Sequence, residues 1–134
     1  MKKLAINSQV DLKVEAAVQP SEDPQKVIDA VQSVIDCSPE FRYGSRVVGT
    51  VSGIEALYLV YEQVRSRSAM GVLRRMLVDN RAGDSTWFFL NKQAATSGIA
   101  AVIDDEQEST LGPIRVTISC EDLNIVIDWL VPEA

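Results

Sequence analysis

Thr86-Trp87-Phe88-Phe89-Leu90-Asn91-Lys92-Gln93-Ala94-Ala95 opens as the most strand-like run of the sequence and closes in a polar turn followed by small residues. Strand side chains alternate between faces, so consecutive aromatic residues must be buried on both sides or presented on one. The flanks decide which kind of sheet receives the strand.

Upstream, Val10, Leu12, Val14, Ala16 and Val18 alternate with Asp11, Lys13, Glu15 and Ala17. Downstream, Ile114, Val116, Ile118 and Cys120 alternate with Arg115, Thr117 and Ser119. Period two with one polar face marks strands buried on one side only. Between them lie helical segments. Asp23-Pro24 provides an N-cap and a first-turn proline for a helix to about Asp36, with Val27, Ile28, Val31, Val34 and Ile35 inward. Phe41 to Val51 is expected as a second strand or hairpin arm, Gly44 and Gly49 marking a turn or bulge. Ser52-Gly53-Ile54-Glu55 fits a capping box for a helix carrying Ile54, Leu57, Tyr58, Tyr61 and Val64 on one face. A break near Ser66–Ser68 separates it from another with Met70, Leu73 and Leu77 inward. After the aromatic strand, 99–103 is expected as a further strand and the acidic run 104–108 as a solvated hairpin loop. Leu123, Val126, Ile127 and Leu130 form a last helix that Pro132 stops.

The order is therefore β-α-β-α-α-β-β-β-α. One-sided strands and short late connections predict an α+β fold, a mostly antiparallel sheet with helices packed on one face. No linker or repeat divides the 134 residues, so a single domain spans 1–134, with 1–8 as a loose tail or strand extension.

Composition narrows the function. No histidine is present, which excludes imidazole metal sites and Ser-His or Cys-His nucleophile pairs. Cys37 and Cys120 are far apart and read as small buried hydrophobes. The carboxylates of 104–108 lack calcium-loop spacing. No metal, cofactor or catalytic residue is expected. No apolar run approaches the roughly 20 residues that span a bilayer, and Asn7, Ser8, Gln9 and Asp11 interrupt any export signal, so the cytoplasm is the expected compartment.

The net charge is −6, yet Arg42, Arg46, Arg65, Arg67, Arg74, Arg75 and Arg81 face only Glu55, Glu62 and Asp79 between 42 and 81, a local net of +4. Arg67, Arg74 and Arg81 are seven apart and would form one stripe on a continuous helix, flanked by Arg75. Guanidinium groups so spaced suit a phosphate backbone; a solvated helix face is the competing reading. Asn91, Lys92 and Gln93 could likewise cap a helical turn whose free amides and ammonium seat a phosphate, or serve only as a structural cap. Tyr58 and Tyr61, and the aromatics of the 86–90 run, are expected in the core or against a second subunit.

Several segments together resemble an uncharacterised archaeal protein family predicted to bind RNA and described as a candidate exosome-associated protein. They are Pro20-Ser21-Glu22-Asp23-Pro24, Gly44-Ser45-Arg46-Val47-Val48-Gly49, Leu90-Asn91-Lys92-Gln93-Ala94-Ala95, Ser109-Thr110-Leu111-Gly112-Pro113-Ile114 and Ile127-Asp128-Trp129-Leu130-Val131-Pro132. The resemblance runs from about Val10 to Pro132 and implies a fold similar to the large-subunit ribosomal protein that binds 5S RNA. Some relatives look fused to a P-loop kinase of the dephospho-coenzyme A type, whose Gly-x-x-x-x-Gly-Lys-Ser/Thr sequence is absent here. The expectation is a non-catalytic RNA-binding protein, a homodimer, gripping phosphates through Asn91, Lys92, Gln93, Arg46, Arg67, Arg74, Arg75 and Arg81. The alternative is a protein-interaction module for another enzyme, such as a coenzyme A pathway kinase, without RNA binding.

Overall fold

Alternation along Asp11–Ala17 does what its pattern demands: Leu12, Val14 and Ala16 are buried while Asp11 and Lys13 are exposed. In this computed structural model, which describes residues 8–133, that segment is strand β1 of a six-stranded antiparallel sheet. The expected tail at 1–8 lies outside the described residues except for Ser8, whose hydroxyl donates to Asp122 Oδ2 at 2.5 Å.

Helix α1, Pro24–Val34, begins where Asp23 Oδ1 accepts the Gln25 N–H at 3.0 Å, and it buries Val27, Ala30, Val31 and Val34. Two hairpin arms follow, β2 (Glu40–Arg42) and β3 (Arg46–Ser52), joined where Tyr43 and Gly44 both take positive φ. Gly49 is neither turn nor bulge. It lies within β3, where a Cβ would stand 3.1 Å from Cys37 Sγ and 3.2 Å from Pro39, so the missing side chain lets the segment after α1 approach the strand. The capping box does not form either, because Ser52 is still in β3 and donates across to Asp11 Oδ1 at 2.7 Å. A 3₁₀ turn at Ile54–Leu57 leads instead into α2, Tyr58–Ser66.

The expected break is present: Arg67 ends α2, Ser68 has φ of 55°, and α3 runs Met70–Asp79. The aromatic run becomes β4, Ser85–Leu90, tied to the end of α3 by Thr86 Oγ1 donating to the Leu77 carbonyl at 2.5 Å. A single turn, α4 (Lys92–Ala95), leads to β5, reduced to Val102–Ile103. The acidic run holds a second 3₁₀ turn, at Glu106–Glu108, and does not close a hairpin, because β4 lies between β5 and strand β6, Ile114–Ser119. Helix α5, Leu123–Leu130, completes the chain.

The strand order is β2-β3-β1-β6-β4-β5. Phe88 and Leu90 of β4, Leu73 and Leu77 of α3, and Leu123 and Leu130 of α5 are fully buried in one core between the sheet and the helices. All helices contribute to that core, so they sit on one face. The other face is open: its outward side chains are exposed or half-buried, Ile103 alone being buried. No helix among the described residues is long and apolar enough to cross a membrane.

Candidate binding surface

Three places could carry function: the Asn91–Gln93 turn, the arginines, and the open face of the sheet.

The turn is built as the sequence implies and then used differently. Asn91 Oδ1 accepts the Ala94 N–H at 2.9 Å, the cap expected there. Lys92 is only 3 % exposed. Its ammonium donates to the Ala17 carbonyl at 2.7 Å, the Leu111 carbonyl at 2.6 Å and Glu22 Oε1 at 3.0 Å. An ammonium has three donors, and all three are engaged inside the protein. Its backbone N–H points to Ser109 Oγ at 3.4 Å, and that hydroxyl stands 3.1 Å from Gln93 Oε1. The phosphate seat anticipated at Lys92 is thus occupied by the protein's own oxygens. The residue joins the end of β1, the turn before α1 and the loop before β6.

The arginines do not converge. The break at Ser68 and the end of α3 at Asp79 divide Arg67, Arg74 and Arg81 among three segments, so the seven-residue stripe does not exist. Arg74 donates to Asp128 Oδ1 at 3.0 Å and the Val131 carbonyl at 2.8 Å. Arg75 pairs with Asp104 at 2.6 Å, and Arg81 donates to Asn124 Oδ1 and the Gly83 carbonyl. Arg65 lies 3.5 Å above the Tyr61 ring and donates to the Trp129 and Leu130 carbonyls, clamping α2 to the end of α5. Tyr61 in turn stacks on Trp129 at 4.7 Å, which places it with the core as expected. Arg42 pairs with Glu40 at 3.0 Å and Arg46 with Glu15 at 2.7 Å. Arg67 is exposed and makes no ion pair among the described residues. Arg74 and Arg75 line one groove, Arg46 another, and Lys92 a third cleft of about 280 Å³.

The open face is the continuous surface. Cross-strand register sets its rows: Glu40, Val48, Glu15, Arg115, Phe89 and Ile103 form one, and Thr50, Lys13, Thr117 and Trp87 the next. Trp87 and Phe89 pack at 4.9 Å between centroids, tilted by 52°. The Arg115 guanidinium lies 4.4 Å from the Trp87 ring centre, within cation–π range. Lys13 and Arg115 were not singled out from sequence. Their outward position was readable from the alternation; that Arg115 meets Trp87 depends on β6 lying beside β4, which no local pattern reveals. Among the described residues no group of three acidic or cysteine side chains is placed to hold a metal ion, and every buried side-chain nitrogen or oxygen has a partner.

No family model matches the sequence. Curated relatives do. A UPF0201 protein of Sulfolobus acidocaldarius is 37 % identical over 124 residues, covering 90 % of this chain and 86 % of the relative. Another from Methanothermobacter thermautotrophicus is 39 % identical over 128 residues, 91 % of each chain. Among solved structures, that of the UPF0201 protein from Methanococcus jannaschii superposes with a TM-score of 0.75 at 25 % identity, covering 92 % of this chain and 94 % of that one. A crystal structure of an uncharacterized UPF0201 protein gives 0.78 at 24 % identity, with the same two coverages.

Proposed function

The chain belongs to the archaeal UPF0201 protein family, and from that premise we propose a non-catalytic binding protein that offers the open face of its sheet to a protein partner. One observation carries this reading: the helices cover one face only, and the other presents Trp87 and Phe89 half-exposed beside Arg115 and Thr117. Aromatic residues and arginine in a mixed polar surround are the composition of protein-binding surfaces.

RNA binding is the second reading, and the same face supports it better than the arginines of α3 do. A base can stack on an exposed aromatic of a sheet, and Arg115 already demonstrates that the Trp87 ring accepts a flat cation. The ion pairs of Arg74 and Arg75 weaken the case for a phosphate grip on α3.

Affinity purification of the tagged protein from an archaeal host separates the two. The expected result is a stoichiometric protein partner that is lost with Trp87→Ala plus Arg115→Ala and retained with Arg74→Ala plus Arg75→Ala. Co-purifying RNA, released by moderate salt and lost with the same Trp87/Arg115 variant, replaces the first reading by the second. A partner of either kind that ignores Trp87 and Arg115 overturns both.

A further inference from the structure

We infer that the partner on the open face is a second copy of this chain, packed sheet to sheet about a two-fold axis that brings the Trp87–Phe89 region of one copy against that of the other. The inference rests on the reading of the open face as the working surface, and charge, area and the form of the sheet edges support it.

Outward side chains of the six strands include four cations (Lys13, Arg42, Arg46, Arg115) and three anions (Asp11, Glu15, Glu40), a net of +1. The whole chain carries −6, so the rest of the sequence carries −7. Apart from residues 54–81, which carry +2, the surface away from this face is acidic, so two copies that met over most of it would bring acid against acid, whereas on this face the charges nearly cancel. The signs also alternate. Asp11, Lys13 and Glu15 follow one another on β1, and Arg46 and Arg115 flank Glu15 on either side. A patch holding both signs in near-equal number can complement a rotated copy of itself, as an isologous contact requires. A polyanion laid across the same patch would meet three carboxylates.

Polarity is graded across the sheet. Trp87, Phe89 and Ile103 lie on the β4–β5 side, and all three carboxylates lie on β1 and β2. A two-fold axis running across the strands between the Phe89 and Trp87 rows lays the two faces over one another in full, aromatic side on aromatic side and the Glu15 row of one copy over the Lys13 row of the other. Strands of six or seven residues at about 3.4 Å each, spaced about 4.8 Å apart, give a face of roughly 500 Å² per copy, about 1,000 Å² in all. That matches the threshold of about 1,000 Å² for a specific association and implies a modest affinity. Edge pairing is the other way sheets associate, and here it has little to work with: β2 has three residues and β5 two.

Sedimentation velocity over a concentration series tests the proposal on the whole chain. The expected result is a species of twice 14.7 kDa that forms in the micromolar range. Thr117→Arg and, separately, Lys13→Glu should each weaken it at least tenfold, whereas Val78→Arg, at a 52 % exposed position on α3, should leave it unchanged. Thr117 and Lys13 point outward, so circular dichroism should report an intact fold for both variants, and Lys13→Glu stands as the test if Thr117→Arg unfolds. A chain that stays monomeric at every concentration overturns the second copy. If that monomer still captures another protein, or RNA, through Trp87 and Arg115, the open face keeps its role with a different occupant. A dimer that ignores both open-face variants overturns the proposal and the reading beneath it together.

Discussion

The ammonium of Lys92 and the carboxylate of Glu22 form an ion pair at 3.0 Å with side-chain exposures of only 3 % and 11 %. A buried pair of this kind contributes little relative to a well-packed apolar substitute, but removing one partner strands the other. Lys92→Met would leave the largely buried Glu22 carboxylate without its cation, only the Gln19 N–H still donating to it at 2.9 Å, and the expected cost is about 3–5 kcal/mol in urea unfolding. The neighbouring Gln93→Ala, which loses only the acceptor for the Ser109 hydroxyl, should cost about 1 kcal/mol or less. A nearly unchanged stability for Lys92→Met would mean that the ammonium serves something other than the fold. The sequence alone left this residue between an anion contact and a structural role. Nothing in Asn91-Lys92-Gln93 specifies the surroundings of the side chain, since its acceptors come from residues 17, 22 and 111.

Glycines separate elements that merely tolerate a missing side chain from those that need it. In β3, a Cβ at Gly49 would meet Cys37 Sγ and Pro39 at 3.1–3.2 Å, and Pro39 is backbone-bound and cannot swing away. Gly49→Ala should therefore cost about 1–3 kcal/mol through overpacking. In α3, the Cβ of Gly71→Ala would meet nothing within 4 Å, and the helix should gain up to about 1 kcal/mol. Thermal unfolding of the two variants beside the parent reads both signs; shifts of the same direction would contradict the packing described for β3. At this scale the sequence was most legible where local chemistry decides: Asp23-Pro24 starts α1, Asn91 caps α4, and the break before α3 falls at Ser68. It misled where an element answers to a distant one. The Ser52 hydroxyl turned to Asp11 on the neighbouring strand, and Arg67, Arg74 and Arg81 answered to the break, Arg74 to Asp128 and Arg81 to Asn124 of α5.

Across the molecule, the α+β class and the one-sided helical layer followed from alternation and helical periodicity, because those report burial directly. Strand order did not, and with it went the neighbours of every outward side chain. The aromatic run is β4, one place in from the β5 edge, while β1 and β6, about a hundred residues apart in sequence, lie side by side. Among the described residues, β6 is the strand that joins β2-β3-β1 to β4-β5. A chain ending at Gly112 should consequently show no cooperative unfolding transition by circular dichroism, whereas loss of β5 pairing alone would be milder. A stable, cooperatively melting truncation would contradict the joining role of β6. That placement also sets an order of events when the protein is made. Until residues 114–119 leave the ribosome, two partial sheets can form only with open strand edges, so folding must wait for about the last sixth of the chain, and any stall before that point leaves sticky halves for chaperones to hold.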